Sequence, residues 1–164
     1  MLGDLSPLST PFSVNSMTRD LIVNQQASYL GDFLKNDPST VIGNVVISFA
    51  TLRGFSLGSG GFLVDGLQLG SLVNDGRVSL EAFERVDVLK GASAFLTGLG
   101  ASSSLGGVIN YVPKSAKGAP VRDAYLQFLG RSNVGLGVDM SDRFGTDKAF
   151  GLRVNASARA RAAA

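Results

Sequence analysis

The 164-residue chain contains no histidine, no cysteine and no tryptophan. Without His or Cys there is no zinc finger, no Ser-His-Asp or Cys-His nucleophile, no iron–sulfur cluster and no disulfide scaffold. Charge is scarce too. Lys, Arg, Asp and Glu together make 17% of the chain, against about 25% in an ordinary soluble domain. A net charge of +2 is too small for a nucleic-acid footprint, and the pI of 9.2 reflects only a near-balance tipped by two charges. Long apolar runs are missing as well. The best candidate, Val41 to Leu52, is shorter than the ~18 residues of a spanning helix and is broken by Gly43 and Asn44. Met1 to Pro11 lacks the basic and apolar regions of a secretory signal, the first basic residue being Arg19.

What is plentiful is glycine, 21 of 164 residues, nearly twice the roughly 7% of average usage. Mean hydropathy is positive, +0.22. The densest stretch, Gly91 to Gly107, contains Gly98-Leu-Gly100 and invites a nucleotide-binding reading. The dinucleotide fingerprint needs its glycine turn to open a helix at once. Here the glycines lead into Gly107-Val-Ile-Asn-Tyr-Val112, which is β-branched and strand-like. Tight turns and close backbone packing account for these glycines better.

The pattern changes near Pro113–Pro120. Before it, short helix and strand signals mix. Thr18 to Gln26 starts on a possible cap, and Ser28 to Asn36 places Tyr29, Leu30, Phe33 and Leu34 on one helical face before Asp37-Pro38 stops it. Ser79 caps a further short helix over 79–85. Strands are expected at Phe12–Val14, Val45–Phe49, Phe62–Asp65, Arg85–Leu89 and Val108–Val112. This first part is a small α+β unit. After Pro113 the period is two. Leu126 and Phe128, then Val134 to Met140, then Phe150 to Ala156 alternate with glycine or polar residues, separated by turn clusters at 130–133 and 141–147. Such a meander fits a soluble sheet packed on a core or the wall of a membrane barrel. Gly, Asp, Arg and Asn on the second face, rather than long Lys and Glu, favour the barrel. Three strands cannot close one. Ala158 to Ala164 has neither period nor cap and reads as a frayed end.

Carboxylates are the remaining catalytic material. Glu81 and Glu84 are spaced i, i+3, and Asp65 and Asp87 lie in strand-like runs. A hydrolase needs two such groups across a cleft, and their spacing gives no sign of one. Ion-paired or solvated side chains explain them. The stretch Arg53 to Gly61 reads as a long flexible loop rooted on a cation and an aromatic, either a ligand-facing loop or a plain connection.

Five motifs then fall in order: Thr10-Pro-Phe-Ser-Val14, Arg53-Gly-Phe55, Phe62-Leu-Val-Asp-Gly66, Glu84-Arg-Val-Asp-Val-Leu-Lys-Gly91, and Gly106-Gly-Val-Ile-Asn-Tyr-Val112 followed by Lys114. The series resembles the plug domain of TonB-dependent outer-membrane receptors, most closely the siderophore-receptor branch. The resemblance implies an N-terminal lead-in at 1–9, a plug over 10–116, and the first strands of a truncated barrel over 117–164. The fold class is then α+β: a small mixed β-sheet plug with short helices, followed by antiparallel strands of a transmembrane barrel. Barrels of this family have 22 strands and a lumen wide enough to need plugging. Their ligand, a ferric siderophore or another chelate, binds at the outer face, and the TonB complex pulls on a segment N-terminal to the plug. Met1 to Leu8 is not a convincing segment of that kind. By motif position the apical loops are Ser39–Asn44, Ser56–Gly60 and Gly70–Gly76, with Gly58, Ser59 and Asn74 nearest the ligand. The family's plug–barrel charge lock maps to Arg53 and Lys90. Lys in place of the family's more frequent Arg lacks the planar bidentate contact. With the barrel glutamates outside this sequence, both cations are expected to be unpaired.

The resemblance implies no enzyme, no cofactor, no metal site and no nucleic-acid partner. Its partners are the chelate, the TonB complex, the remainder of its own barrel and the outer membrane. The alternative is a free-standing plug-like periplasmic binding or signalling module. An exposed apolar band of Leu126, Leu136 and Leu152 separates the two, because it marks a membrane wall.

Overall fold

In the computed structural model the described residues are 13–42, 50–68, 78–91, 104–128 and 133–161. The chain forms two compact units, 1–113 and 114–164. The expected strand at Val45–Phe49, the loop Gly70–Gly76 with Asn74, and Gly98-Leu-Gly100 lie outside the described residues.

In the first unit β1 (Ser13–Thr18) runs into α1 (Arg19–Asn24), and α2 (Leu30–Leu34) follows. Thr18 does occupy the N-cap position of α1, but its side chain makes no capping bond. Next come β2 (Thr40–Ile42), β3 (Ala50–Leu52) and β4 (Phe55–Ser56), which form an antiparallel three-stranded sheet in that order. β5 (Phe62–Val64), β6 (Leu67–Gln68), β7 (Phe83–Lys90) and β8 (Gly107–Pro113) join β1 in a five-stranded sheet ordered β1-β7-β8-β5-β6. All its pairings are antiparallel except β5 with β8.

β7 and β8 are central and covered on both faces, which is why Val86-Asp-Val-Leu89 and Val108-Ile-Asn-Tyr111 show almost no apolar–polar alternation. Val86, Val88, Ile109 and Tyr111 are fully buried in the main core with Leu52, Phe62 and Leu80, while Leu63, Leu89 and Val108 form a smaller cluster. Phe83 and Tyr111 pack tilted, with ring centroids 5.0 Å apart. The helix expected at 79–85 is shorter than its pattern suggested. Ser79 caps it, its hydroxyl accepting from the Glu81 amide, but only one 3-10 turn forms, Leu80–Ala82. From Phe83 on, ladder bonding to β1 and β8 claims the backbone.

The second unit is a meander of β9 (Val121–Phe128), β10 (Asn133–Phe144) and β11 (Phe150–Arg161), ordered β9-β10-β11. β10 and β11 are longer than the alternation suggested. Residues 141–144 continue the strand, and Ala158–Arg161 pair with Asn133–Leu136 instead of fraying. The ladder supplies what the Ala-Arg side chains lack. The sheet is apolar on its exposed side: Leu126 is 60% exposed, Leu136 55% and Leu152 59%. On the other face Gly135, Gly137, Asp139 and Ser141 are buried.

Candidate functional site

Three of the motifs meet around one end of the five-stranded sheet. Leu52 pairs with Phe55, and Val64 with Leu67, so each hairpin has a two-residue turn. Arg53, Gly54, Asp65 and Gly66 all have positive φ, the type I′ geometry that matches strand twist. Asp65-Gly66 is a favoured pair for such a turn. Arg53-Gly54 is not, because a long side chain gains nothing local in the left-handed region. Asp65 therefore shapes a turn, and its amide donates to the Tyr111 carbonyl at 2.8 Å. Gly66 donates to Asn110 Oδ1, also at 2.8 Å.

Around the Arg53 turn the glycines are demanded by close approach. A Cβ on Gly106 would run into the Leu52 carbonyl oxygen, and one on Gly107, at φ +135°, into that of Leu89. Gly91 donates its amide to the Gly106 carbonyl at 2.8 Å, and the Arg53 guanidinium lies beside Gly91. The Arg-Gly, Lys-Gly and Gly-Gly motifs are thus neighbours in space, which their separation in sequence conceals.

A carboxylate without a motif holds this end together. Asp37, whose side chain is fully buried, accepts from Lys90 Nζ at 2.9 Å, from the Ser39 hydroxyl at 2.6 Å and amide at 2.9 Å, and from Asn15 Nδ2 at 3.2 Å. Burial alone would raise its pKa. The bonds from Ser39, Lys90 and Asn15 outweigh burial and hold it at about 2. The expectation that Lys90 is unpaired is therefore wrong: its partner is in the chain itself. Sequence spacing gives Asp37-Pro38 only a helix-stopping role, and nothing in it joins residue 37 to residue 90. Arg53 is exposed and makes no ion pair among the described residues; its amide donates to the Ser39 carbonyl at 2.8 Å.

Within the described residues, the first two expected apical loops are more ordered than loops. Residues 40–42 of the first are strand β2. In the second, Ser56 ends β4, Leu57 is buried, and Ser59–Gly61 is a 3-10 turn. Leu57 anchors this stretch by packing against Gly61 and donating its amide to Ala50. Gly58 stands exposed with open space at its Cβ position.

Two of the carboxylates considered for catalysis, Glu81 and Asp87, have structural partners. Arg19 Nη2 reaches Glu81 Oε2 at 2.7 Å, and Asp87 accepts from Ser16 at 2.7 Å and from Arg85 at 3.2 Å. No group of acidic residues able to hold a metal ion gathers among the described residues.

Known proteins match the chain in sequence and in fold. A family model described as TonB-dependent Receptor Plug Domain matches residues 6–108. The ferrichrome receptor FcuA of Yersinia enterocolitica is 36% identical over 159 residues, covering 94% of this chain and 21% of that protein. A ferric-pyoverdine BN7/BN8 receptor of Pseudomonas putida is 27% identical over 147 residues, covering 84% and 17%. Among solved structures, BauA, the ferric preacinetobactin receptor of Acinetobacter baumannii, superposes with a TM-score of 0.79 at 32% identity, over 92% of this chain and 23% of that one. The chain spans about a fifth of the length of these relatives.

Proposed function

The chain belongs to the TonB-dependent receptor plug domain family, and from that premise we propose that it is the plug and first wall strands of an outer-membrane receptor importing a ferric siderophore or a similar metal chelate. The lead-in is 1–9, the plug 10–116 and the wall 117–164. By itself the chain does not transport. The receptor works without catalysis, takes its ligand near Gly58, Ser59 and Asn74, and is driven by the TonB complex through a segment N-terminal to the plug.

The carrying observation is the outward apolar face of β9–β11. Phe128, Leu136, Met140, Phe150, Leu152 and Val154 are each more than half exposed. A contiguous band of that kind exceeds what monomeric soluble proteins carry and suits a wall whose outer side meets lipid. It speaks against a free-standing periplasmic module. Arg53 supports the reading from the plug side, as an exposed cation held at an unfavourable φ of 55°. It is the lock residue presented outward, whereas Lys90 brings to the lock a charge that Asp37 already shares.

The test is solubility and fractionation of the 164-residue chain. It should sediment with outer membranes or require detergent, and Leu126, Leu136 and Leu152 replaced together by Ser should lower that requirement. A parent chain that stays monomeric in plain buffer would sink the wall assignment.

A further inference from the structure

Residues 114–118, Lys-Ser-Ala-Lys-Gly, have the composition of a flexible linker and form no helix or strand. They are nonetheless fixed along their length to the sheet that follows. Asp139, midway along β10, is buried on the face it shares with Gly135, Gly137 and Ser141. Lys114 Nζ donates to its Oδ2 at 2.6 Å and to Asn155 Oδ1 at 2.9 Å. Arg153 grips both carboxylate oxygens, Nε to Oδ1 at 2.9 Å and Nη2 to Oδ2 at 2.8 Å. Its remaining nitrogen, Nη1, donates to the Ser115 carbonyl at 2.9 Å. Ala116 then lies on Gly151, where a Cβ would come within 2.7 Å of the Ala116 Cβ. Lys148 Nζ donates to the Gly118 carbonyl at 3.1 Å.

Charge and shape both serve this docking. The side chains of Lys114, Asp139 and Arg153 are only 4%, 8% and 13% exposed. Three charges so withdrawn from water are tolerable only while all are in place. The bidentate fork on Asp139 needs a guanidinium, and the seat of Ala116 needs the missing side chain of Gly151.

The geometry points to a strap: residues 114–118 are docked on the small-residue face of β10 and β11, and Asp139 is the positioning residue that docks them. Its functional meaning rests on the wall reading above. The chain leaving β8 is then fastened to the wall from its first residue after Pro113, so a displacement that starts on the N-terminal side of the plug ends at Lys114 instead of passing into a slack linker.

Amine acetylation of the 164-residue chain in detergent, followed by peptide mass spectrometry, tests this. Lys114 should react at least roughly tenfold more slowly than Lys35, whose side chain is 70% exposed. Asp139→Asn removes the charge and Gly151→Val the seat. Each should speed Lys114 roughly tenfold while leaving Lys90 slow, and Asp139→Glu should recover most of the protection. Lys114 reacting as fast as Lys35 in the parent chain, or unchanged in both variants, overturns the strap. So does a rise in hydrogen exchange along the whole β10–β11 ladder in Asp139→Asn, which would make Asp139 a residue of the sheet and not of the strap. The detergent requirement of the same preparations reports separately on the wall, so either idea can fail alone.

Discussion

The two units apply the same materials with opposite sign. In 1–113 the apolar side chains turn inward: Val86, Val88, Ile109 and Tyr111 are fully buried on central strands. In 114–164 they turn outward, and the buried face of β10 is Gly135, Gly137, Asp139 and Ser141. Glycine changes duty in the same way. Gly106 and Gly107 let backbone meet backbone at the carbonyls of Leu52 and Leu89, whereas Gly137 makes room for the Tyr125 ring on the face away from the apolar band. Period-two alternation thus fixes which residues share a face but not which face meets solvent; that depends on what the solvent is. In each unit a buried carboxylate also ties separate segments together. Asp37 ties three segments of the plug unit together, and Asp139 ties a short strap to a sheet.

The sharpest way to break this comparison is to truncate one leucine in each unit. Leu52 is fully buried between β2 and β4 and its side chain packs on Gly107. Leu52→Ala should cost about 3 kcal/mol, from lost burial plus a cavity the sheet cannot close. Leu136, 55% exposed in the middle of β10, should cost under about 0.5 kcal/mol on the same change, since no core collapses around it. Denaturant unfolding of the two variants in the same detergent gives both numbers. Equal losses would show that the outward band packs as a core after all, and the opposition between the units would fall.

A smaller effect probes the buried carboxylate of the first unit by pH. The Asp37 carboxyl is held at about 2 against an ordinary 3.8. A depressed acid contributes stability that is present above its unfolded pKa and lost as pH falls through its folded one. The contribution is therefore intact above about pH 4 and disappears toward pH 2, and its size is about 2 kcal/mol. Asp37→Asn should lower stability at pH 7 by about that amount and flatten the decline between pH 4 and 2 relative to the parent chain. Urea midpoints at pH 7, 4 and 2.5 check this. Parallel pH curves for parent and variant would remove Asp37 as the tie at this end of the plug.

Much of this was legible in the sequence, and the reasons are local. The Ser79 cap, the Asp-Pro stop and the alternation of β9–β11 each act within a few residues, so spacing reports them, whereas Asp65, expected in a strand, opens a turn at φ 48° instead. What stayed hidden is decided at long range. Lys90 finds Asp37 across 53 positions and Lys114 finds Asp139 across 25, and no periodicity carries such a pairing. Strand β2 was missed because three residues have too little pattern, and it exists through its ladder with β3. Arg53 and Lys90 are both expected from the sequence to be unpaired, yet only Arg53 is exposed without an ion pair among the described residues, and Lys90 is bonded inside the unit.

That last inequality yields the smallest prediction. Arg53 sits at φ 55°, next to Gly54 at φ 83°, where asparagine is the residue the turn itself favours. Its amide bond to Ser39 is a main-chain contact that substitution keeps. Arg53→Asn should therefore stabilise the chain slightly, by about 0.5 kcal/mol, through relief of the left-handed penalty. If Arg53 is held there for its charge against a wall carboxylate, the same change should weaken chelate uptake by the receptor that carries this segment, so stability and function move in opposite directions. Thermal unfolding of the 164-residue chain reads the first effect and uptake of a ferric siderophore reads the second. A variant that loses stability would show that the guanidinium packs usefully beside Gly91, and the contrast between an outward Arg53 and an inward Lys90 would narrow to one of degree.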